Sequence, residues 1–160
     1  MGKILYPFLP EGKTIIYVNN ENPWMKAAET CRAESSTDLS FPTGAVVVKD
    51  VQIIGRGANQ SALRNKKLLE FHKDVFCVRR FLRIPTGKKY WICPGCSSSR
   101  HHAESRAVKD AQKKGMETKG ADLYLYGHWW CCEPCWKVMM DAGIRNVYLL
   151  INSEIMFGKR

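Results

Sequence analysis

His102-Ala103-Glu104 and Cys132-Glu133-Pro134-Cys135 stand thirty positions apart in this 160-residue chain. One imidazole and two thiolates supply three ligands for a catalytic zinc, leaving a fourth position for water. A carboxylate two residues from the histidine can carry protons to and from that water, which makes the chemistry hydrolytic. A lone histidine or a lone C-x-x-C pair is most often structural; the combination with Glu104 is what points to catalysis. Three cysteines compete for the two sulfur positions. Cys131 with Cys135 has one residue too many for C-x-x-C, whereas Cys132 with Cys135 fits.

The remaining cysteines raise a second question. The chain has seven, an odd number, and four of them form the C-x-x-C pairs Cys93/Cys96 and Cys132/Cys135. In a reducing compartment that usage favours metal over disulfides. Cys77, Cys93 and Cys96, with His101 or His72 as a fourth ligand, are the candidates for a second, structural zinc. Two competing readings are reduced, partly buried thiols, and a single four-cysteine zinc ribbon joining the two C-x-x-C pairs. Cys31 reads as a core residue of its helix.

The elements that must position these residues alternate. Thr14–Val18 reads as a strand behind an N-terminal arm (residues 1–21). Asn22-Pro23 is a helix start, with Asn as cap and Pro in the first turn. Ala45–Val48 followed by Gln52–Gly55 reads as a β-hairpin with a buried first strand. Leu68–Leu82 reads as helical, with a break at Ile84-Pro85-Thr86-Gly87. A helix over His101–Lys114 carries His102 and Glu104 in its first turn. Ala121–Tyr126 alternates as a strand, with Leu123 and Leu125 on one face and Tyr124 and Tyr126 on the other. Cys132–Ala142 is a helix closed by Gly143, and Val147–Ile151 a last buried strand. Both metal motifs therefore fall at helix N-termini, where the dipole favours thiolate. The alternation predicts an α/β sandwich with a mixed sheet.

Composition sets the bounds. Apolar residues make up 45% of the chain, as in a globular domain, and no apolar run approaches the roughly 18 residues of a membrane span. Met1–Pro7 lacks the apolar run and cleavage site of a signal peptide, so the expected location is cytoplasmic. Net charge is +10, concentrated between Leu63 and Tyr90, where nine basic residues face only Glu70 and Asp74. A basic block suits nucleotide phosphates or a nucleic-acid backbone, or is simply a solvated face.

Taken together these residues resemble the zinc-dependent cytidine and deoxycytidylate deaminase superfamily, over most of residues 43–151. Thr43–Asp50, then Gln52–Asn59, resembles the family's opening hairpin, and His102-Ala103-Glu104 its H-A-E. Leu123–Tyr126 resembles the strand before the cysteines. Gly143 falls eight residues after Cys135, as in the family, which supports Cys132 as the first sulfur ligand. Cys77-Val78-Arg79-Arg80, Ile84-Pro85-Thr86-Gly87 and Tyr90 are similar to an insert in some microbial deoxycytidylate deaminases. Three positions depart from the pattern. Cys131 stands where Pro is usual, Trp129 and Trp130 are bulky, and Gly57-Ala58-Asn59 lacks the usual aromatic and following Gly.

The resemblance implies a three-layer α/β/α cytidine-deaminase-like sandwich with a mixed central sheet. It implies one deaminase domain over 1–160, with a basic, Cys-containing insert at 60–100. It further implies zinc on His102, Cys132 and Cys135, and hydrolytic deamination of a cytosine nucleotide, dCMP to dUMP, with Glu104 as proton carrier. Asn59 would hold the sugar, the Ala103 amide the base, and Arg64 or Arg56 the 5′-phosphate. His128, Trp129 and Trp130 stand beside the site in sequence and either wall the base pocket or pack as core. A homo-oligomer is expected from the resemblance. The competing functions are a deaminase of bases in RNA or single-stranded DNA, suggested by charge and tryptophans, and a non-catalytic zinc module, which has no use for Glu104.

Overall fold

A computed structural model describes residues 3–158; residues 1, 2, 159 and 160, the ends of the expected domain, lie outside it. The chain runs β1 (Ile15–Val18), α1 (Pro23–Ser35), β2 (Gly44–Lys49), β3 (Gln52–Ala58), α2 (Lys66–Asp74), α3 (Val78–Phe81), α4 (Ala103–Lys113), β4 (Asp122–Tyr126), α5 (Glu133–Asp141), β5 (Asn146–Leu150) and α6 (Ser153–Phe157). Short 3-10 turns at Tyr90–Ile92 and Ser99–His101 precede α4. The strands form one sheet in the order β1-β5-β4-β2-β3. The β2 strand is antiparallel to β3 and β4, while β4, β5 and β1 run parallel, so the sheet is mixed as expected.

Alternation along β4 separates two cores. Leu123 and Leu125 join Ala45, Val47, Val147 and Leu149 beneath α4 and α5. Tyr124 and Tyr126 join Val46, Val48, Met25 and Ala28 beneath α1. Each fully buried aliphatic side chain contributes about 1.5–3 kcal/mol relative to exposure. The first helix begins as its sequence dictates: Asn22 Oδ1 accepts from the backbone N–H of Trp24 and Met25 at 3.0 and 3.1 Å, with Pro23 in the first turn.

One contact fixes where α4 stands. A Cβ at Gly57 would overlap the backbone of Ala103 and Ala107, and one at Gly55 that of Ala107 and Ala111. The absence of side chains lets the helix lie directly on β3. The Asp110 carboxylate ties the same pair by accepting from the Arg56 backbone N–H at 2.8 Å. The start of α4, with His102 just before its first turn and Glu104 within it, is therefore held against the sheet.

The insert departs from the sequence reading. The single helix over Leu68–Leu82 is broken after Asp74, and Cys77 adopts an extended conformation before α3. In a continuous helix His72 and Cys77 would point about 140° apart; the break turns both inward. The last helix, α6, has no counterpart in the sequence reading; its Phe157 packs edge-on to Tyr126, with centroids 5.6 Å apart.

Candidate metal centre and active-site cavity

Two helix starts meet. His102 is the residue before the first turn of α4 and Cys132 the corresponding residue of α5, and neither side chain caps its own helix. Both turn toward each other instead. His102 Nδ1 lies 3.5 Å from Cys132 Sγ and 3.4 Å from Cys135 Sγ. These three atoms lie within 4.8 Å of one another, a group that can hold a metal ion. The other ring nitrogen, Nε2, is 3.1 Å from the Ser97 carbonyl. Donation there fixes the tautomer that leaves Nδ1 free as a ligand. Ser97 is fixed in turn, its hydroxyl donating to Asp38 Oδ2 at 3.0 Å. Tyr90 packs edge-on to the His102 ring, with centroids 4.9 Å apart.

Electrostatics suit a cation. The Cys135 hydrogen bond, the His102 hydrogen bond and the His102 charge outweigh burial and bring the Cys132 thiol down to about 5. Cys135, hydrogen-bonded to that sulfur and buried, is pushed well up. A metal bound here would take both sulfurs as thiolates and release their protons. Glu104 is buried, which raises its carboxyl; the nearby His102 opposes the rise and Cys132 adds to it. Cys131 lies in the core beneath α4 and is absent from the metal-holding group. Its thiol is pushed well up by burial and faces Glu104.

The group opens onto a cavity of about 430 Å³. His102, Glu104 and Cys132 form its floor, and Phe41, Trp129 and Trp130 are among its walls. His128 lines it as well, with Nδ1 accepting from the Trp129 and Trp130 backbone N–H. The insert contributes Arg79, Pro85, Thr86 and Tyr90. Sequence reasoning does not find Ser40 at this wall. Its hydroxyl is buried and, among the described residues, has no hydrogen-bond partner. Nor does it find Phe157, which α6 brings to the cavity.

Several expected substrate contacts are placed differently. Asn59 lines the cavity, but its amide is spent on the protein. Oδ1 accepts from the Thr43 N–H and the Ser36 hydroxyl, and Nδ2 donates to the Phe41 carbonyl and Asp38. It staples the 36–43 loop over the site. Arg64 is outside the cavity lining, its guanidinium donating to Gln60 Oε1 at 3.3 Å. Arg56 belongs to a separate cleft beside Arg106. The arginine that does line the wall, Arg79, donates to the carbonyls of Pro85 and Lys88 and lies 4.1 Å over the Tyr90 ring. Ala103 is fully buried at the first position of α4.

The second cysteine set also needs a correction. Cys77, Cys93 and Cys96 cluster with His72, not with His101. His101 is exposed, with Nδ1 at 2.8 Å from the Ser98 hydroxyl. The 3-10 turn at Ser99–His101 aims it away from the sulfurs, while His72, in the last turn of α2, faces them. The two C-x-x-C pairs belong to different groups, which removes the single four-cysteine ribbon.

A buried glutamate beside one histidine and two cysteines at paired helix starts, on a mixed sheet between helices, defines the class of zinc-dependent deaminases. The chain belongs to the cytidine and deoxycytidylate deaminase family, whose zinc-binding region matches residues 18–151. Zinc is therefore the metal, and the sulfur-and-imidazole donor set fits it. The chain is 27% identical over 130 residues to ComE operon protein 2 of Bacillus subtilis (strain 168), covering 79% of this chain and 57% of that protein. It thus spans little more than half the length of that curated relative. Its fold superposes on the apo dCMP deaminase of cyanophage S-TIM5 with a TM-score of 0.50 and 22% identity, over 85% of this chain and 87% of the other. The guanine deaminase of Bacillus subtilis gives a TM-score of 0.47 at 22% identity, over 88% and 71%. No helix among the described residues is long and apolar enough to cross a membrane.

Proposed function

We propose that this chain deaminates a free cytosine nucleotide hydrolytically, dCMP and water giving dUMP and ammonia. The observation that carries this reading is Glu104, buried beside His102, Cys132 and Cys135 on the floor of a cavity sized for one small molecule. A zinc-binding module without catalysis has no use for a carboxylate there.

Zinc, held by His102, Cys132 and Cys135, supplies the Lewis acidity that brings a water's pKa to roughly 7. Glu104 takes a proton from the attacking water and gives it to ring nitrogen N3; a second transfer to the exocyclic amine lets ammonia leave from C4. Burial of Glu104, which favours its protonated form, suits it to return the proton. Trp129 and Trp130 stack or wall the base, and the Ala103 backbone orients it. Asn59 acts by holding the 36–43 loop, and the unpartnered Ser40 hydroxyl is the better candidate for a contact to the sugar. The insert favours a free nucleotide because Arg79, Pro85, Thr86 and Tyr90 close one side of the cavity. The 5′-phosphate would then be met by a cation outside the cavity lining, for which the family resemblance offers Arg64, or by a second subunit of a homo-oligomer.

The +10 net charge supports a second reading, a deaminase of bases in RNA or single-stranded DNA. One panel separates the two. Zinc-loaded protein is incubated with dCMP, dCTP, deoxycytidine, cytidine and cytosine- or adenosine-containing oligonucleotides, and ammonia and product are measured. Turnover of dCMP well above deoxycytidine supports the nucleotide reading. Turnover of oligonucleotides alone, falling steeply as salt rises, replaces it with the second.

A further inference from the structure

We propose that His72, Cys77, Cys93 and Cys96 form a second zinc site whose occupancy holds His102 in its ligating orientation. Three thiols and an imidazole converge here from three separate pieces of chain. His72 comes from the last turn of α2, Cys77 from the residue before α3, and Cys93 and Cys96 from one turn closed by the Cys96 N–H on the Cys93 carbonyl. Cys77 Sγ lies 3.9 Å from Cys93 Sγ and 3.7 Å from Cys96 Sγ, and Cys96 Sγ lies 3.5 Å from His72 Nε2. All four donor atoms fall within 4.8 Å of one another, as around a single tetrahedral ion. The cysteines are free thiols.

The surroundings are built for that purpose. The backbone N–H groups of Arg79 and Arg80 are directed at the Cys77 sulfur, as thiolates require. A Cβ at Gly95 would run into the His72 ring, so only glycine lets the Cys93–Cys96 turn close on the imidazole. The Ser61 hydroxyl donates to the carbonyls of Pro94 and Gly95 at 3.0 and 2.9 Å and anchors the turn from outside.

Two short paths lead from this site to the first. Cys96 is followed directly by Ser97, whose carbonyl takes the His102 Nε2 hydrogen bond. Arg79 Nη1 faces Cys96 Sγ at 3.9 Å, while its guanidinium holds the Pro85 and Lys88 carbonyls and covers Tyr90, whose ring edges onto His102. Releasing the second ion loosens Cys96, which is one anchor of Ser97 and one of Arg79, the residues behind the two groups that fix the His102 ring. Partners of this kind are worth roughly 10–100-fold in metal affinity. The coupling presumes the His102 ligand assignment of the proposed function; the second site itself does not.

The test needs no deaminase assay. Reduced, zinc-loaded full chain is analysed for zinc per chain, and the thiols that resist alkylation are mapped by mass spectrometry before and after chelation. We expect two zinc ions, with Cys77, Cys93 and Cys96 protected until the chelator acts. One zinc per chain with those three cysteines freely alkylated overturns the second site. Zinc is then titrated into the Cys93→Ser and His72→Asn variants. Loss of one equivalent, with the remaining ion bound roughly 10–100-fold more weakly, is the expected result. A remaining ion bound as tightly as in the unaltered chain overturns the coupling. Thiol protection in the unaltered protein decides the site even if a variant fails to fold. If His102→Ala removes neither ion, the catalytic assignment fails while the second site stands.

Discussion

Gly57→Ala is the most informative single perturbation, because it pushes the metal centre without touching it. The new methyl would overlap the backbone of Ala103 and Ala107, and reaching ordinary contact requires α4 to retreat from β3 by roughly 1 Å. Overpacking of this kind costs about 1–3 kcal/mol. At about 2–4 °C per kcal/mol for a chain of this size, the melting midpoint should fall by several degrees. The retreat carries His102 away from Cys132 and Cys135, which lie 3.5 and 3.4 Å from its Nδ1 on a different helix. Zinc affinity at that group should fall by at least tenfold in the folded protein. Gly44→Ala is the control. Its methyl would strike Ala28 and Arg32 of α1, on the opposite face of the sheet, which carries no metal ligand. Thermal melts and competitive zinc titration on both variants, at a temperature where each is folded, separate the effects. Both should lose stability and only Gly57→Ala should lose zinc affinity. Equal zinc affinity in Gly57→Ala and the unaltered chain would refute the claim that the β3–α4 contact positions the site.

Further outcomes follow from the same geometry. Cys132→Ala should lose the catalytic zinc, whereas Cys131→Ala should keep it, because Cys131 packs beneath α4; inductively coupled plasma measurements on the folded variants decide the register. Asn59→Ala should cost about 2–4 kcal/mol in denaturant unfolding, since it leaves several buried partners of the 36–43 loop unpaired; an unchanged midpoint would return Asn59 to a purely substrate-facing role. Asp110 is raised by burial but brought below its ordinary value by the Lys114 ion pair and the Arg56 N–H. Its stabilisation is therefore full above the ordinary carboxylate pKa of about 3.9 and lost as pH falls through the lower folded value, a loss that Asp110→Asn should flatten in pH-dependent melts. The β2–β3 turn places Asp50 and Val51 at φ 50° and 58°, a conformation that β-branched Val resists. Replacing the pair by Asn-Gly should stabilise the chain by about 1 kcal/mol.

What was readable from sequence was what local chemistry specifies. The Asn22-Pro23 start and the Leu/Tyr alternation of β4 depend on neighbours within a few residues, and both are found in the structure, which also groups the C-x-x-C pair Cys132 and Cys135 with His102. What escaped depends on partners far along the chain. Helical propensity over Leu68–Leu82 was overridden because His72 and Cys77 both turn to a loop some twenty residues further on. His101 and His72 are equally good ligands by type, and only the 3-10 turn before α4 separates them. The saturation of Asn59 by Ser36, Thr43, Phe41 and Asp38 leaves no mark in the order of residues.

The central claim is that Glu104 moves protons at a zinc held by His102, Cys132 and Cys135. Its most direct test is Glu104→Gln, assayed for zinc content and for dUMP and ammonia formed from dCMP. The account predicts an unchanged zinc count with turnover reduced by about 10²–10⁴-fold. Undiminished turnover in the zinc-loaded variant would contradict it.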